Sequence, residues 1–126
     1  MGYELHVVRT REWSEAAKKP ILKSEVDMLI ARDRELKWSQ SDFEDMRDKR
    51  SGKVIRYFMI EWQSQSAFWW YQDQIYCKNP NELQQRKLVQ IARTLKAMVI
   101  GDEGERYEIS KGFLGGEKIV ILPWPK

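Results

Sequence analysis

Side chains that carry redox, metal or nucleophilic chemistry are scarce in this chain. Among 126 residues there is one cysteine, Cys77, and one histidine, His6. A single cysteine cannot form an internal disulfide, and cysteine-based zinc modules need several such ligands, so both are excluded. Cys77 falls among apolar strand residues, where free cysteine is typically a small core residue. This cysteine usage fits a reducing compartment or a protein indifferent to redox conditions, and we expect a cytoplasmic protein.

Long apolar runs and sequence signatures of enzymes are also missing. Apolar runs such as residues 119–122 are far shorter than the roughly 20 residues a membrane-spanning helix needs. The first residues lack the basic segment and apolar core of a secretory signal. The chain contains no glycine-rich phosphate loop, nucleophile elbow or metal-ligand spacing. We therefore expect no membrane association, no catalytic residues, no metal and no cofactor, and we predict that the protein is not an enzyme.

What the chain does contain is a large share of apolar and aromatic residues. Hydrophobic residues make up 42%, including six Trp, five Tyr and four Phe. That is enough for one core at this length, and no repeat, low-complexity tract or linker divides the chain. We predict a single domain over residues 1–126. Its 22 basic and 19 acidic residues are well mixed, so no dense basic stripe typical of nucleic-acid binders is visible.

Apolar periodicity predicts alternating strands and helices. The predicted strands are 3–9, 36–38, 54–62, 67–71, 75–78, 99–101, 106–109 and 118–122, the last of them buried. The predicted helices are 24–34 and 79–97.

Helix signals, short turns and charge refine this pattern. Asn79 followed by Pro80 predicts an N-cap and first helical position. Short turns join the strands between residues 54 and 78, which predicts an antiparallel meander. The charged stretch 41–50 is predicted to be a solvated loop or a short helix, and residues 10–23 a loop carrying Trp13. The expected fold class is α+β: a mostly antiparallel sheet with one long helix and one shorter helix packed on it.

The aromatic run 68–71 is the most unusual segment. Strand alternation sends Trp69 and Tyr71 to one face and Phe68 and Trp70 to the other. One pair can lie under the long helix. The other pair is either covered by residues 10–50 or exposed, where aromatic side chains can anchor a protein partner or stack on bases.

Two polar features could carry chemistry, and each has a structural alternative. His6 could act as a general base, but spacing places no partner beside it, so a strand residue facing solvent or a helix end is the simpler interpretation. Asp102, Glu103 and Glu105 form an acidic hairpin turn. Only a fragment of a cation-binding loop is present there, so a solvated turn or a charged partner-binding loop remains.

Three segments together resemble a family of small bacterial proteins, mostly uncharacterised. They are the opening Tyr-Glu-Leu-His-Val-Val-Arg strand at residues 3–9, the segment 70–80 ending in Lys-Asn-Pro, and the run 91–107 with its Gly-Asp-Glu-Gly-Glu-Arg-Tyr sequence. Family members often carry Gly-Asp-Asp-Gly-Glu-x-Tyr near the end, where this chain has Glu103. Many appear beside genes for secreted polymorphic toxins, so the resemblance implies an immunity protein that binds and blocks a partner toxin.

The leading hypothesis is therefore a cytoplasmic binding protein that neutralises a cognate bacterial toxin by occlusion, with no nucleic-acid partner. Its net charge of +3 differs from the acidic character that suits blockers of basic nucleases. The candidate partner-binding residues are Asp102, Glu103, Glu105, Tyr107 and Trp70. The alternative is a nucleic-acid-binding domain with a basic, Trp-rich sheet face, formed by Trp69, Trp70 and Tyr71 beside Arg56, Lys78 and Arg86. An enzyme acting through His6 or the acidic turn ranks third.

Overall fold

A computed structural model describes residues 3–47, 51–52, 54–111 and 116–122. The described strands are β1 Glu4–Val8, β2 Leu36–Arg47, β3 Val54–Trp62, β4 Gln65–Tyr71, β5 Gln74–Lys78, β6 Met98–Gly101, β7 Arg106–Lys111 and β8 Glu117–Leu122. The helices are α1 Lys23–Arg32 and α2 Glu82–Thr94, and a 3₁₀ helix spans Trp13–Lys18.

The eight strands form one sheet in the order β2-β3-β4-β5-β1-β6-β7-β8, and each neighbouring pair is antiparallel. The α+β class, the antiparallel sheet and the meander over β3, β4 and β5 are confirmed. The expected pair of helices is only partly matched. The two α-helices have 10 and 13 residues, and the 3₁₀ helix adds a third element in the segment predicted to be a loop.

Both α-helices contribute to one core on one face of the sheet. β1 contributes Leu5 and Val7, α1 contributes Val26 and Leu29, and the apolar stripe of α2 meets them. The stripe of α2 includes Leu88, Ile91, Ala92 and the following Leu95. Because these side chains recur at helical spacing, only one side of α2 is apolar, which orients the helix on the sheet.

The start of α2 differs from the prediction. Asn81, rather than Asn79, is the N-cap: its side chain accepts a hydrogen bond from the Gln84 amide at 2.8 Å, and Gln84 returns one to the Asn81 amide at 2.9 Å. This reciprocal pair is a capping box. Asn79 instead has a positive φ of 47°, and its side chain accepts a hydrogen bond from the Tyr3 amide. It therefore ties the chain before α2 to the start of β1.

Two predictions at the sheet edges are wrong. Residues 41–47 are not a loop or helix but continue β2, with Phe43 opposite Phe58 and Arg47 opposite Val54; residues 48–50 lie outside the described residues. The last strand is not buried either, since β8 is an edge strand in which Ile121 is 58% exposed. Edge strands accept charged residues because only one side of their backbone is paired, so local polarity was a poor guide to β2.

A buried lysine joins α2 to the connection between α1 and β2. Lys87 is 5% exposed. Its Nζ lies 2.7 Å from Asp33 Oδ2 and 2.6 Å from Glu35 Oε1. Both acceptors are carboxylates, so the buried ammonium is fully compensated. In the part of the chain that the structure describes, no helix is long and apolar enough to cross a membrane.

Candidate functional site

The sheet face opposite α1 and α2 carries a cluster of aromatic side chains. We call it the open face and define it by Tyr57, Met59, Trp69, Tyr71 and Tyr76. Cross-strand register brings these residues together, because Met59 is opposite Trp69 and Trp69 is opposite Tyr76. The 3₁₀ helix covers the neighbouring part of this face, where its Ala16 packs on β1 and β6.

The rings of the open face contact one another closely. Tyr57 and Tyr71 stack with centroids 4.1 Å apart, and Trp69 and Tyr76 stack at 5.6 Å. Burial, followed by the neighbouring Tyr57 and the Glu4 charge, raises the pKa of Tyr71 to about 12. The hydroxyl therefore stays protonated at physiological pH. These contacts make the cluster a preformed surface, and Tyr57, Trp69 and Tyr71 remain half-exposed on it.

A depression of about 350 Å³ opens on this cluster. Its lining consists of strand residues only: the five residues of the open face, with Glu4 from β1 and Lys78 from β5. Glu4 and Lys78 are directly opposite each other in the β1–β5 pair. Among the described residues, neither side chain has an ion-pair partner within 4 Å. The depression therefore combines aromatic walls with one carboxylate and one ammonium group.

His6 occupies a buried polar site next to the open face. It is 4% exposed, and its ring stacks on Trp13 of the 3₁₀ helix with centroids 4.5 Å apart and planes 5° from parallel. Its Nδ1 lies 2.8 Å from Gln74 Oε1, and its Nε2 lies 2.9 Å from Asp102 Oδ1. Asp102 Oδ2 accepts a hydrogen bond from the Glu4 amide. The His6 ring thus connects β1, β5, the 3₁₀ helix and the hairpin turn.

Both ring nitrogens of His6 are engaged in hydrogen bonds. Gln74 Nε2 donates to the Trp13 carbonyl at 3.4 Å, so the Gln74 amide is held between Trp13 and His6 Nδ1. The ring therefore lies between an amide and a carboxylate, under the indole ring of Trp13. No ring nitrogen is left to act on a substrate, so the geometry favours a structural role.

The only candidate metal ligands grouped together in the described chain are Glu4, His6 and Asp102. Their ligand atoms lie within 4.8 Å of one another. However, His6 Nε2 is directed at Asp102 itself rather than at a shared point between the three groups. The carboxylates are better explained as acceptors for the ring and for the β1 backbone.

The acidic turn divides its side chains between the two faces. Gly104 has a φ of 88°, which closes the turn as expected from its sequence. Asp102 points toward His6, and Glu103 is exposed. Glu105 instead accepts a hydrogen bond from the Tyr3 hydroxyl on the helix side. Of the three predicted carboxylates, only Asp102 is linked to the margin of the open face, through its hydrogen bonds to His6 and to the Glu4 amide.

The two predicted aromatic site residues lie on the helix side. Tyr107 is buried in the main core, where burial and then the turn carboxylates raise the pKa of its hydroxyl. Trp70 is half-buried against the same core, and its Nε1 donates to the Ile21 carbonyl at 2.9 Å. Phe68, on the same face as Trp70, is fully buried in this core. Trp69, which was predicted only as part of the alternative nucleic-acid-binding face, is on the open face.

Sequence reasoning missed the His6–Asp102 contact and the open face. The contact depends on β1 pairing with β6, which no local spacing reveals. A signal for the open face was present, since Tyr57 and Met59 alternate along β3 and Trp69 and Tyr71 alternate along β4. The relative register of the two strands was needed to join these pairs into one surface.

Comparisons with protein families, curated proteins and solved structures find no match to this chain. The functional argument therefore depends on the residues and geometry described above.

Proposed function

We propose that this chain is an immunity-type protein, which binds a cognate bacterial toxin in the cytoplasm and neutralises it by occluding its active site or substrate path. The observation that carries the proposal is the open face with the acidic margin formed by Glu4 and Asp102. The resemblance of residues 3–9 and 101–107 to proteins encoded beside toxins supplies the class of partner.

The chemistry of the open face suits a protein interface. Tyr and Trp are enriched where proteins bind each other, because large rigid rings bury much area at a small entropic cost. Here the rings are already ordered by mutual stacking and by rigid strands. Preordering lowers the cost of binding. The exposed edges of Trp69 and Tyr71 would be the aromatic anchors.

The negative charge at the margin of the open face suggests that the partner presents a basic surface there. Glu4 and Asp102 lie at the β1 and β6 end of the open face. They would face a basic patch on the toxin and steer its approach. The whole chain is weakly basic at +3, so this complementarity is local rather than global. Occlusion requires no catalytic group, which agrees with the saturated hydrogen bonds of His6.

Nucleic-acid binding remains the second candidate, because Trp69 and Tyr71 share the open face with Lys78. However, the residues predicted for a nucleic-acid-binding face do not all lie on one side of the sheet. Trp70 lies on the helix side of the sheet, and Arg86 belongs to α2 on that side. Carboxylates border the remaining aromatics, and these would repel phosphates. A ratio of absorbance at 260 and 280 nm equal to that of protein alone, after purification at low salt, would exclude this candidate.

The test is a tagged pull-down from the native bacterium at moderate salt, with mass spectrometry of the eluate. We expect a stoichiometric protein that is encoded next to this chain and is toxic when expressed alone. Co-expression of this chain should restore growth. Capture of no such protein under conditions where the neighbouring gene is expressed would refute the proposal.

A matched pair of variants locates the interface. Trp69→Ala should weaken toxin binding by about 30-fold or more, the effect of losing an interface anchor. Leu83→Ala removes a side chain that is 52% exposed on α2 and should leave binding unchanged. Circular dichroism would verify that both variants are folded. The reverse pattern would place the interface on the helix side.

A further inference from the structure

The depression on the open face has the composition of a site for an organic cation. Aromatic rings carry negative charge on their faces, and a cation placed over them is attracted electrostatically. Tyr57, Trp69 and Tyr71 supply half-exposed rings, and Glu4 supplies a carboxylate at the same depression. The Glu4 carboxylate is close enough to Tyr71 to contribute to the raised pKa of its hydroxyl, so the negative charge lies beside the rings.

Lys78 lines the same depression and opposes this attraction. Its side chain is exposed, whereas Glu4 is half-buried. A long exposed lysine can turn its ammonium group into solvent, but Glu4 lacks that freedom. Asp102, whose carboxylate accepts from the Glu4 amide at 2.9 Å, adds a second negative charge nearby. The fixed charge at the β1 side of the depression is therefore negative.

We propose that this depression binds the guanidinium group of an arginine side chain, with Glu4 accepting its N–H bonds and the rings of Trp69 and Tyr71 packing against its plane. A guanidinium group is planar, stacks on aromatic faces and offers paired donors to one carboxylate. An ammonium group is compact, more strongly hydrated and cannot stack. That this arginine belongs to the partner toxin rests on the function proposed above. The existence of the guanidinium site does not depend on that function.

The site can be tested with a small probe in the absence of any partner. N-acetyl-arginine-methylamide would be titrated into the protein while the aromatic ring signals are followed by NMR. We expect saturable shifts at Tyr57, Trp69 and Tyr71. The lysine analogue should bind about fivefold more weakly, and the neutral citrulline analogue should not bind. Equal binding of citrulline, or shifts confined to residues 102–105, would overturn the proposal.

Two carboxamide variants provide the matched control. Glu4→Gln should weaken binding of the arginine probe by about fivefold or more, because it removes the charged acceptor. Glu82→Gln removes an equal charge from the exposed start of α2, outside the depression, and should change binding less than twofold. An equal loss in both variants would show only a general effect of net charge and would refute the site.

The outcomes separate this inference from the proposed function. Failure of the probe to bind, with the toxin still captured in the pull-down, would refute the guanidinium site alone. Binding of the probe without a captured toxin would refute the immunity function and retain the site.

Discussion

The buried lysine of α2 allows a quantitative test of the electrostatics of this fold. Replacing Lys87 by Met keeps an unbranched side chain but removes both hydrogen bonds to carboxylates. The bond to Asp33, whose side chain is 26% exposed, should contribute about 2 kcal/mol. The bond to Glu35, whose side chain is 64% exposed, should contribute less than about 1 kcal/mol because of solvent screening. Burial of the methionine side chain offsets about 1 kcal/mol. We expect a net loss of about 2 kcal/mol at pH 7.

The pH dependence distinguishes lost ion pairs from lost packing. Burial alone would raise the pKa of Asp33, but the hydrogen bonds from Lys87 and the Glu35 amide lower it below its usual value. The hydrogen bond from Lys87 also lowers the pKa of Glu35. Groups with a lowered pKa in the folded state stabilise it above their unfolded-state pKa values. That stability is lost as the pH falls through the folded-state values. The difference between wild type and Lys87→Met should therefore be smaller at pH 3 than at pH 7.

The assay is urea unfolding followed by tryptophan fluorescence at both pH values. Lys18→Met is the matched control, since Lys18 pairs with Glu15 at the surface and its replacement should change the free energy of unfolding by less than about 0.5 kcal/mol. A loss for Lys87→Met that is the same at pH 7 and pH 3 would show that packing, rather than charge, is responsible.

Three further predictions concern the helix cap, the thiol and the hairpin. Asn81→Ala should lower the free energy of unfolding by about 1 kcal/mol through loss of the N-cap, and an unchanged urea midpoint would contradict the capping box. Burial raises the pKa of Cys77 to about 12, so a thiol reagent at pH 8 should react with it only after denaturant is added; rapid native labelling would place it at the surface. Gly101→Ala would put a methyl group against Glu105 and the Tyr3 hydroxyl and should cost about 1–3 kcal/mol by breaking their hydrogen bond. If Gly101→Ala unfolds at the same temperature as wild type, that close contact is unimportant for stability.

The central strands were predictable because their own residues have a high propensity for β-structure. The prediction for β3 matches Val54–Trp62 at both ends, since β-branched and aromatic residues continue over the whole segment. The polar half of β2 was not predictable in this way. Its backbone pairs with β3 despite a run of charged residues, so a tertiary interaction overrides local propensity there.

The sequence correctly predicted an Asn cap at the start of α2, but at the wrong residue. Both Asn79 and Asn81 precede a Glu or Gln by three residues, so the sequence offers two capping boxes. The structure uses the second, because Asn79 is held by the Tyr3 amide. The surroundings of His6 depend on contacts with residues 74 and 102, and only the completed sheet determines them.

The position of β1 has a consequence for the order in which this protein folds. Leu5, Val7 and Val8 are made before the other seven strands, yet their strand lies between β5 and β6 near the middle of the sheet. Residues 75–78 and 98–101 must be synthesised before β1 can pair on both sides. The hairpins from β2 to β5 involve short separations and can form earlier, whereas closing such distant contacts is slow. We therefore expect assembly of the sheet to end with insertion of β1. During synthesis its apolar side chains would remain exposed to chaperones.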